Sequence, residues 1–197
     1  MIILPHKNAY GNDWCAYWEN FLTSEQIDRL LNHSEWKNQQ PALIGASGVQ
    51  SEVDPTIRRT KVSWLQFEKD MDLYQTFAEV VSEVNSRFFH CNVSNFSEVA
   101  QLTTYTEHDK DYYDWHTDMS PIDRGMPRKL TMVLGLSDPH EYEGGLLQIK
   151  TGRDNETLET KKGRAWFFPS YVLHRVTPVT KGTRKSLVLW AGGEQWK

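Results

Sequence analysis

The sequence predicts an α+β domain in which two N-terminal helices support a jelly-roll core of short strands, a double-stranded β-helix. Three observations carry that expectation. Two apolar stripes of helical period lie between residues 23 and 89. After Phe89 the texture changes to short β-favouring runs separated by turn signals. The chain has 197 residues, enough for one sizeable core, with no internal repeat, low-complexity tract or linker to divide it. A single domain over residues 1–197 is expected, helical at 1–98 and jelly roll at 99–197.

Taken in order, residues 1–20 are mixed and aromatic and read as an edge strand with loops. A helix starts at Thr23, where Thr23 and Gln26 have capping-box spacing and Phe21 is placed to pack on the first turn. Ile27, Leu30 and Leu31 continue its apolar stripe. Residues 37–57 are polar, with Pro41 and Pro55, and read as a long loop of the kind that serves function. The run from Arg58 to Leu65 reads as one strand with mixed faces. Leu73, Phe77, Val80, Val81, Val84 and Phe88 then mark a second helix that packs on a sheet. Strands are expected at 99–105, 112–118, 129–136, 145–150, 157–160, 164–168, 171–176 and 184–190. Arg124, Arg128 and Lys129 read as a solvated loop or as a flap over the barrel mouth.

Lys plus Arg total 22 against 26 for Asp plus Glu, a formal net charge of -4 that argues against broad nucleic-acid binding. Cys15 and Cys91 are too few for a disulfide framework or a zinc ribbon. The first residues lack a charged and then apolar leader, and no stretch has the length of a membrane span. A reducing, cytoplasmic setting without nucleic-acid or membrane partners is expected.

The chemistry concentrates in Tyr112-Tyr113-Asp114-Trp115-His116-Thr117-Asp118. On an extended strand His116 and Asp118 point to the same face. Together they offer two of the three ligands of the facial triad that holds non-haem Fe(II). A third histidine is available at His174, inside the strand-like run Tyr171–Val176. A jelly roll brings distant strands together around an open mouth, so His116 and His174 can meet there. Arg184 lies on the next strand, where it can reach into the barrel.

These residues sit in a longer pattern: Tyr113-x-x-His116-x-Asp118, then Ser137-Asp138-Pro139 with Tyr142-Glu143-Gly144-Gly145, then His174-Arg175-Val176-Thr177-Pro178 running to Arg184. From about Phe21 to Trp190 the chain resembles the Fe(II)- and 2-oxoglutarate-dependent dioxygenases, within them the prolyl 4-hydroxylases and the bacterial PKHD-type hydroxylases. The resemblance implies that His116, Asp118 and His174 are the iron ligands. It implies that Arg184 pairs with the distal carboxylate of 2-oxoglutarate, a role for which a guanidinium fork is suited. Tyr105 and Thr131 match hydroxyls placed near the same co-substrate. Glu98, Tyr113, Arg128 and Trp190 match a peptide groove, joined by either Arg58 or Arg59.

The implied reaction is hydroxylation of an unactivated C–H bond, with O2 consumed, 2-oxoglutarate converted to succinate and CO2, and ascorbate as a supporting reductant. Halogenating relatives carry a small residue where Asp118 stands, so the carboxylate implies hydroxylation. A peptidyl proline in a peptide or protein is the expected substrate, and a free small metabolite or amino acid is the alternative. A nucleic-acid demethylase of the same superfamily is disfavoured by the missing Arg-x-Asn-x-x-x-x-x-Arg pattern and by the charge balance. A non-catalytic barrel is disfavoured by the complete triad with Arg184. One departure concerns substrate preference: some prolyl 4-hydroxylases have Trp-x-His where this chain has Trp190-Ala191-Gly192.

Overall fold

Alternation along the strands decides the architecture, because one set of side chains packs on helices and the other faces a second sheet. The computed structural model describes residues 9–12, 14–44, 52–119 and 126–194. It contains β1 (Ala9–Gly11), β2 (Ala16–Trp18), α1 (Ser24–Leu31), β3 (Gln40–Pro41), β4 (Arg58–Arg59), β5 (Lys61–Trp64), α2 (Met71–Val84) and β6 (Asn95–Phe96). Then follow β7 (Gln101–Thr106), β8 (Tyr112–His116), β9 (Arg128–Gly135), β10 (Tyr142–Gly144), β11 (Leu147–Lys150) and β12 (Asn155–Leu158). The chain closes with β13 (Ala165–Pro169), β14 (Leu173–Val176) and the long β15 (Val179–Gly192). The major sheet runs β1-β2-β13-β9-β15-β7-β5-β3, with β6 and β10 also paired to β15. The minor sheet runs β12-β11-β14-β8-β4. Pairing is antiparallel throughout the named ladders. This is the α+β jelly roll that the sequence predicts.

Register explains the layers. Leu102, Leu187, Leu134 and Ala165 lie side by side across β7, β15, β9 and β13, and all are fully buried. That row packs on Ile27 and Leu30 of α1 and on Leu73, Phe77, Val81 and Val84 of α2. Burying each leucine contributes about 1.5–3 kcal/mol. The opposite face of the same sheet presents Tyr105, Val133, Trp166 and Phe168 to Leu147, Ile149 and Val176 of the minor sheet.

The capping box forms: Gln26 N–H donates to Thr23 Oγ1 at 3.2 Å, and Thr23 N–H donates to Gln26 Oε1 at 3.0 Å. Phe21 stacks on Phe77 of α2 with ring centroids 5.7 Å apart.

Three sequence expectations change. The run Arg58–Leu65 is two strands, not one: β4 pairs with β8 in the minor sheet, whereas β5 pairs with β7 in the major sheet. Thr60 makes the crossing, its buried hydroxyl donating to Thr104 O at 2.7 Å. The stretch read as a loop from residue 37 holds the end of a 3-10 turn (Ser34–Asn38), β3 and an Ile44–Glu52 bridge, while residues 45–51 lie outside the described residues. Arg128 and Lys129 are not solvated loop residues; they begin β9, with Lys129 buried, and Arg124 lies outside the described residues. The stretch 1–98 therefore supplies strands to both sheets as well as helices.

Tyr74 ties α2 to the major sheet at two points. Its hydroxyl donates to Leu65 O at 3.1 Å and accepts from the N–H of fully buried Ala100 at 2.7 Å. Tyr74→Phe leaves that N–H without a partner, which costs about 1–3 kcal/mol. The expected result is a lower urea midpoint at unchanged slope. An unchanged midpoint would show that the bond contributes nothing net.

Candidate active site between the two sheets

The mouth between the sheets opens into a cavity of about 920 Å³. Strand pairing puts the two histidines there. His174 of β14 lies directly opposite His116 of β8, and in the next pair Val176 lies opposite Tyr113. Two residues advance on β14 while three advance on β8, so β8 carries a bulge. Strict alternation would put Tyr113 and His116 on opposite faces. The bulge turns both inward, and their rings stack with centroids 3.4 Å apart.

Asp118 lies two residues past the end of β8, so strand period alone does not aim it. Its backbone N–H donates to Ser170 O at 2.9 Å, which fastens this segment to the turn between β13 and β14. One ligand atom from each of His116, Asp118 and His174 falls within 4.8 Å of the others. His116 Nδ1 lies 2.7 Å from Asp114 O, and His174 Nδ1 lies 2.9 Å from Val172 O. A carbonyl can only accept, so each Nδ1 carries the proton and the Nε2 of a neutral ring is left as a ligand. Both Nε2 atoms turn to the carboxylate, His116 at 3.7 Å and His174 at 3.4 Å.

Burial, helped by the neighbouring His174, pushes the His116 pKa down to about 3, so the ring is neutral near pH 7. Burial alone would raise the Asp118 carboxyl, but His174, then His116 and Arg128, outweigh it and hold it below the usual carboxylate range. An ionised carboxylate and two imidazole Nε2 atoms form the donor set that suits non-haem Fe(II). The residues fit the metal.

Deeper in the cavity Arg184 is 2 % exposed. Its Nη1 donates to Ser186 Oγ at 3.1 Å, and its guanidinium lies 5.3 Å from the Tyr105 ring centroid. It has no carboxylate partner among the described residues, so this buried cation is arranged for an anion from outside the chain. Burial raises the Tyr105 phenol, with Arg58 and Arg184 opposing, so it stays protonated at neutral pH. Gly145 makes room for this arrangement: a Cβ there would lie 2.9 Å from Arg184 Cδ, and its φ of +58° disfavours a side chain.

The residues expected in a groove separate into three positions. Arg58 faces the cavity, with its guanidinium 4.5 Å from the Tyr113 centroid and Nη2 donating to Gln101 Oε1 at 2.9 Å. Arg59 turns away and donates to Asp109 O at 2.6 Å. Glu98 and Arg128 pair at the mouth, Arg128 Nε donating at 2.8 Å, and Arg128 stacks 3.9 Å above the Trp190 ring. Trp190 and Thr131 both reach Asp118 Oδ2, each at 2.9 Å, so Thr131 is buried behind the carboxylate. The Gly192 departure has a packing reason, since a Cβ there would collide with Ser97 Oγ. Ser170, Gln101 and Gly145 were not singled out from the sequence. Ser170 and Gln101 carry no spacing signal, whereas the Gly144-Gly145 pair in the quoted pattern could have pointed to a close approach.

Against known proteins, a sequence model of the 2OG-Fe(II) oxygenase superfamily matches residues 100–192. A PKHD-type hydroxylase of Idiomarina loihiensis is 34 % identical over 93 residues, 47 % of this chain and 42 % of that protein. Others, from Synechococcus and Teredinibacter turnerae, align over 35 % and 36 % of their lengths, so the chain spans less than half of these curated relatives. A further Synechococcus PKHD-type hydroxylase is 26 % identical over 87 % of this chain and 77 % of its own length. Among solved structures, a Pseudomonas putida prolyl-4-hydroxylase superposes with TM-score 0.71 at 22 % identity, covering 91 % of this chain and 93 % of that one. A Trichoplax adhaerens prolyl hydroxylase, in complex with a peptide fragment of the hypoxia inducible factor oxygen degradation domain, superposes with TM-score 0.68 at 17 % identity, covering 91 % and 84 %. These two likenesses concern the fold.

The donor set makes a metal prediction. Calorimetric titration with Co(II), a redox-stable stand-in for Fe(II), is expected to show one site per chain. His174→Ala is expected to abolish it while the far-ultraviolet circular dichroism stays that of the parent. Parent-like binding by the variant would remove His174 from the ligand set.

Proposed function

We propose that this chain is a 2OG-Fe(II) oxygenase, the superfamily whose sequence model matches residues 100–192, and that it hydroxylates an unactivated C–H bond, with a proline residue of an extended peptide as its substrate. The observation that carries this reading is the His116–Asp118–His174 cluster sharing one cavity with a buried Arg184 that has no carboxylate partner among the described residues. Fe(II) held by the three ligands supplies the dioxygen chemistry, with 2-oxoglutarate as the reductant that leaves as succinate and CO2. The chain's own residues bind, orient and exclude water. Arg184 and the Tyr105 phenol anchor the distal carboxylate of 2-oxoglutarate, and the surrounding apolar wall strengthens that pairing.

Support for a peptide comes from the mouth. Arg58 and Tyr113, from the minor sheet, and the Glu98–Arg128 pair line the same cavity as the three ligands. Arg58 is held in place on this wall by Nη2 donating to Gln101 Oε1 at 2.9 Å. Proline suits such a mouth because its fixed φ lowers the entropy lost on binding and its flat ring packs on aromatic walls. The solved P. putida and T. adhaerens neighbours are described as prolyl hydroxylases, the latter with a bound peptide, which supports the same substrate class.

Two measurements test this. Truncating one partner of a buried ion pair costs about 2–5 kcal/mol. Arg184→Ala is therefore expected to raise the 2-oxoglutarate requirement at least about 30-fold, with Co(II) affinity unchanged. An unchanged requirement would move the anchor elsewhere. Mass spectrometry of proline-rich peptides incubated with enzyme, Fe(II), 2-oxoglutarate, O2 and ascorbate is expected to show one added oxygen on proline. Oxygen gained by free amino acids or other metabolites but by no peptide would overturn the peptide substrate.

A further inference from the structure

Trp190 and Thr131 come from different strands and end on one atom. Trp190 Nε1–H and Thr131 Oγ1–H each donate to Asp118 Oδ2 at 2.9 Å. Thr131 Oγ1 in turn lies 3.0 Å from Ser170 Oγ, and Thr131 and Ser170 are essentially inaccessible to solvent. An ionised carboxylate has about four lone-pair sites, two on each oxygen. Both sites of Oδ2 are taken. Asp118 Oδ1 has no hydrogen-bond donor among the described residues and faces His116 Nε2 in the cavity. His174 Nε2 also lies 3.4 Å from Oδ2, and in the ring form whose single proton sits on Nδ1 against Val172 O this nitrogen is an acceptor, free to serve as a ligand.

We propose that Trp190 and Thr131 are positioning residues that make Asp118 a one-oxygen ligand. The inference rests on the iron reading of the site. A carboxylate free at both oxygens can chelate a metal and occupy an additional coordination position. With Oδ2 held by two donors, chelation would require displacing at least one buried hydrogen bond, roughly twice as strong as a neutral pair because the acceptor is charged. The positions that a chelating co-substrate needs therefore stay open. This assigns the Trp190 indole N–H a role distinct from that of its ring, which carries the Arg128 stack at the cavity mouth.

The test uses the whole chain loaded with Co(II), whose visible absorption weakens as coordination number rises. Trp190→Phe keeps an aromatic ring while removing the N–H; Thr131→Val keeps the branched shape and removes the hydroxyl. Both are expected to bind Co(II), show weaker visible bands than the parent, and bind 2-oxoglutarate about 10- to 100-fold more weakly. Thr131→Ser, which keeps the hydroxyl, is expected to restore parent values. Parent-like bands and 2-oxoglutarate affinity in both Trp190→Phe and Thr131→Val would overturn the inference, as would equal losses in Thr131→Ser and Thr131→Val. A parent chain that binds no Co(II) would instead overturn the metal site itself.

Discussion

A carboxylate taken out of water inside a β-sandwich needs hydrogen-bond donors, and much of this chain is arranged to bring two of them to Asp118 Oδ2. At 8 % exposure it draws one hydroxyl from β9, one indole N–H from β15 and a backbone carbonyl for its own N–H from the turn after β13. The two imidazoles that complete the cluster stand opposite each other on β8 and β14. These partners lie on both sheets and far apart in the sequence. The cluster therefore cannot assemble until the two sheets have closed on each other, which links the site to global folding rather than to any local element.

The long strand β15 shows how one alternation serves both stability and chemistry. Leu187 and Leu189 point to the helices, where they join the apolar core. Arg184, Ser186, Val188 and Trp190, on the other face, line the cavity. A slip of one residue would bury the guanidinium among leucines and turn the leucines to the cavity, so the register is strongly specified. The β8 bulge does the opposite locally. It breaks alternation at one point so that Tyr113 joins His116 inside.

Much of this was legible in the sequence where a local rule carried it. The Thr23–Gln26 spacing marked a helix start, and the stripe from Leu73 to Val84 marked α2, because period and capping are properties of neighbouring residues. His116, Asp118, His174 and Arg184 stood out through their residue types and a long shared pattern. What stayed hidden depends on contacts across sheets. Nothing local distinguishes Arg58 from Arg59, and only the pairing of β4 with β8 turns one inward and the other toward Asp109. The split of Arg58–Leu65 between two sheets is equally non-local, since its residues favour strand on both sides of Thr60. Thr131 and Trp190 were visible as residues of interest, but their common target is set by the β9–β15 register, which places them side by side.

Depth within the cavity gives the proposed reaction an order. Arg184 lies at 2 % exposure, whereas the Glu98 side chain at the mouth is 39 % exposed and Arg128 is 22 % exposed. A dicarboxylate anchored on Arg184 therefore sits beneath any peptide laid between Arg58 and Arg128. It must enter first, because the peptide would cover the path it takes. With both in place, such a peptide would complete the wall that the Trp190 and Tyr113 rings begin. On the proposed reading, water would then be excluded only when a substrate is present to be oxidised.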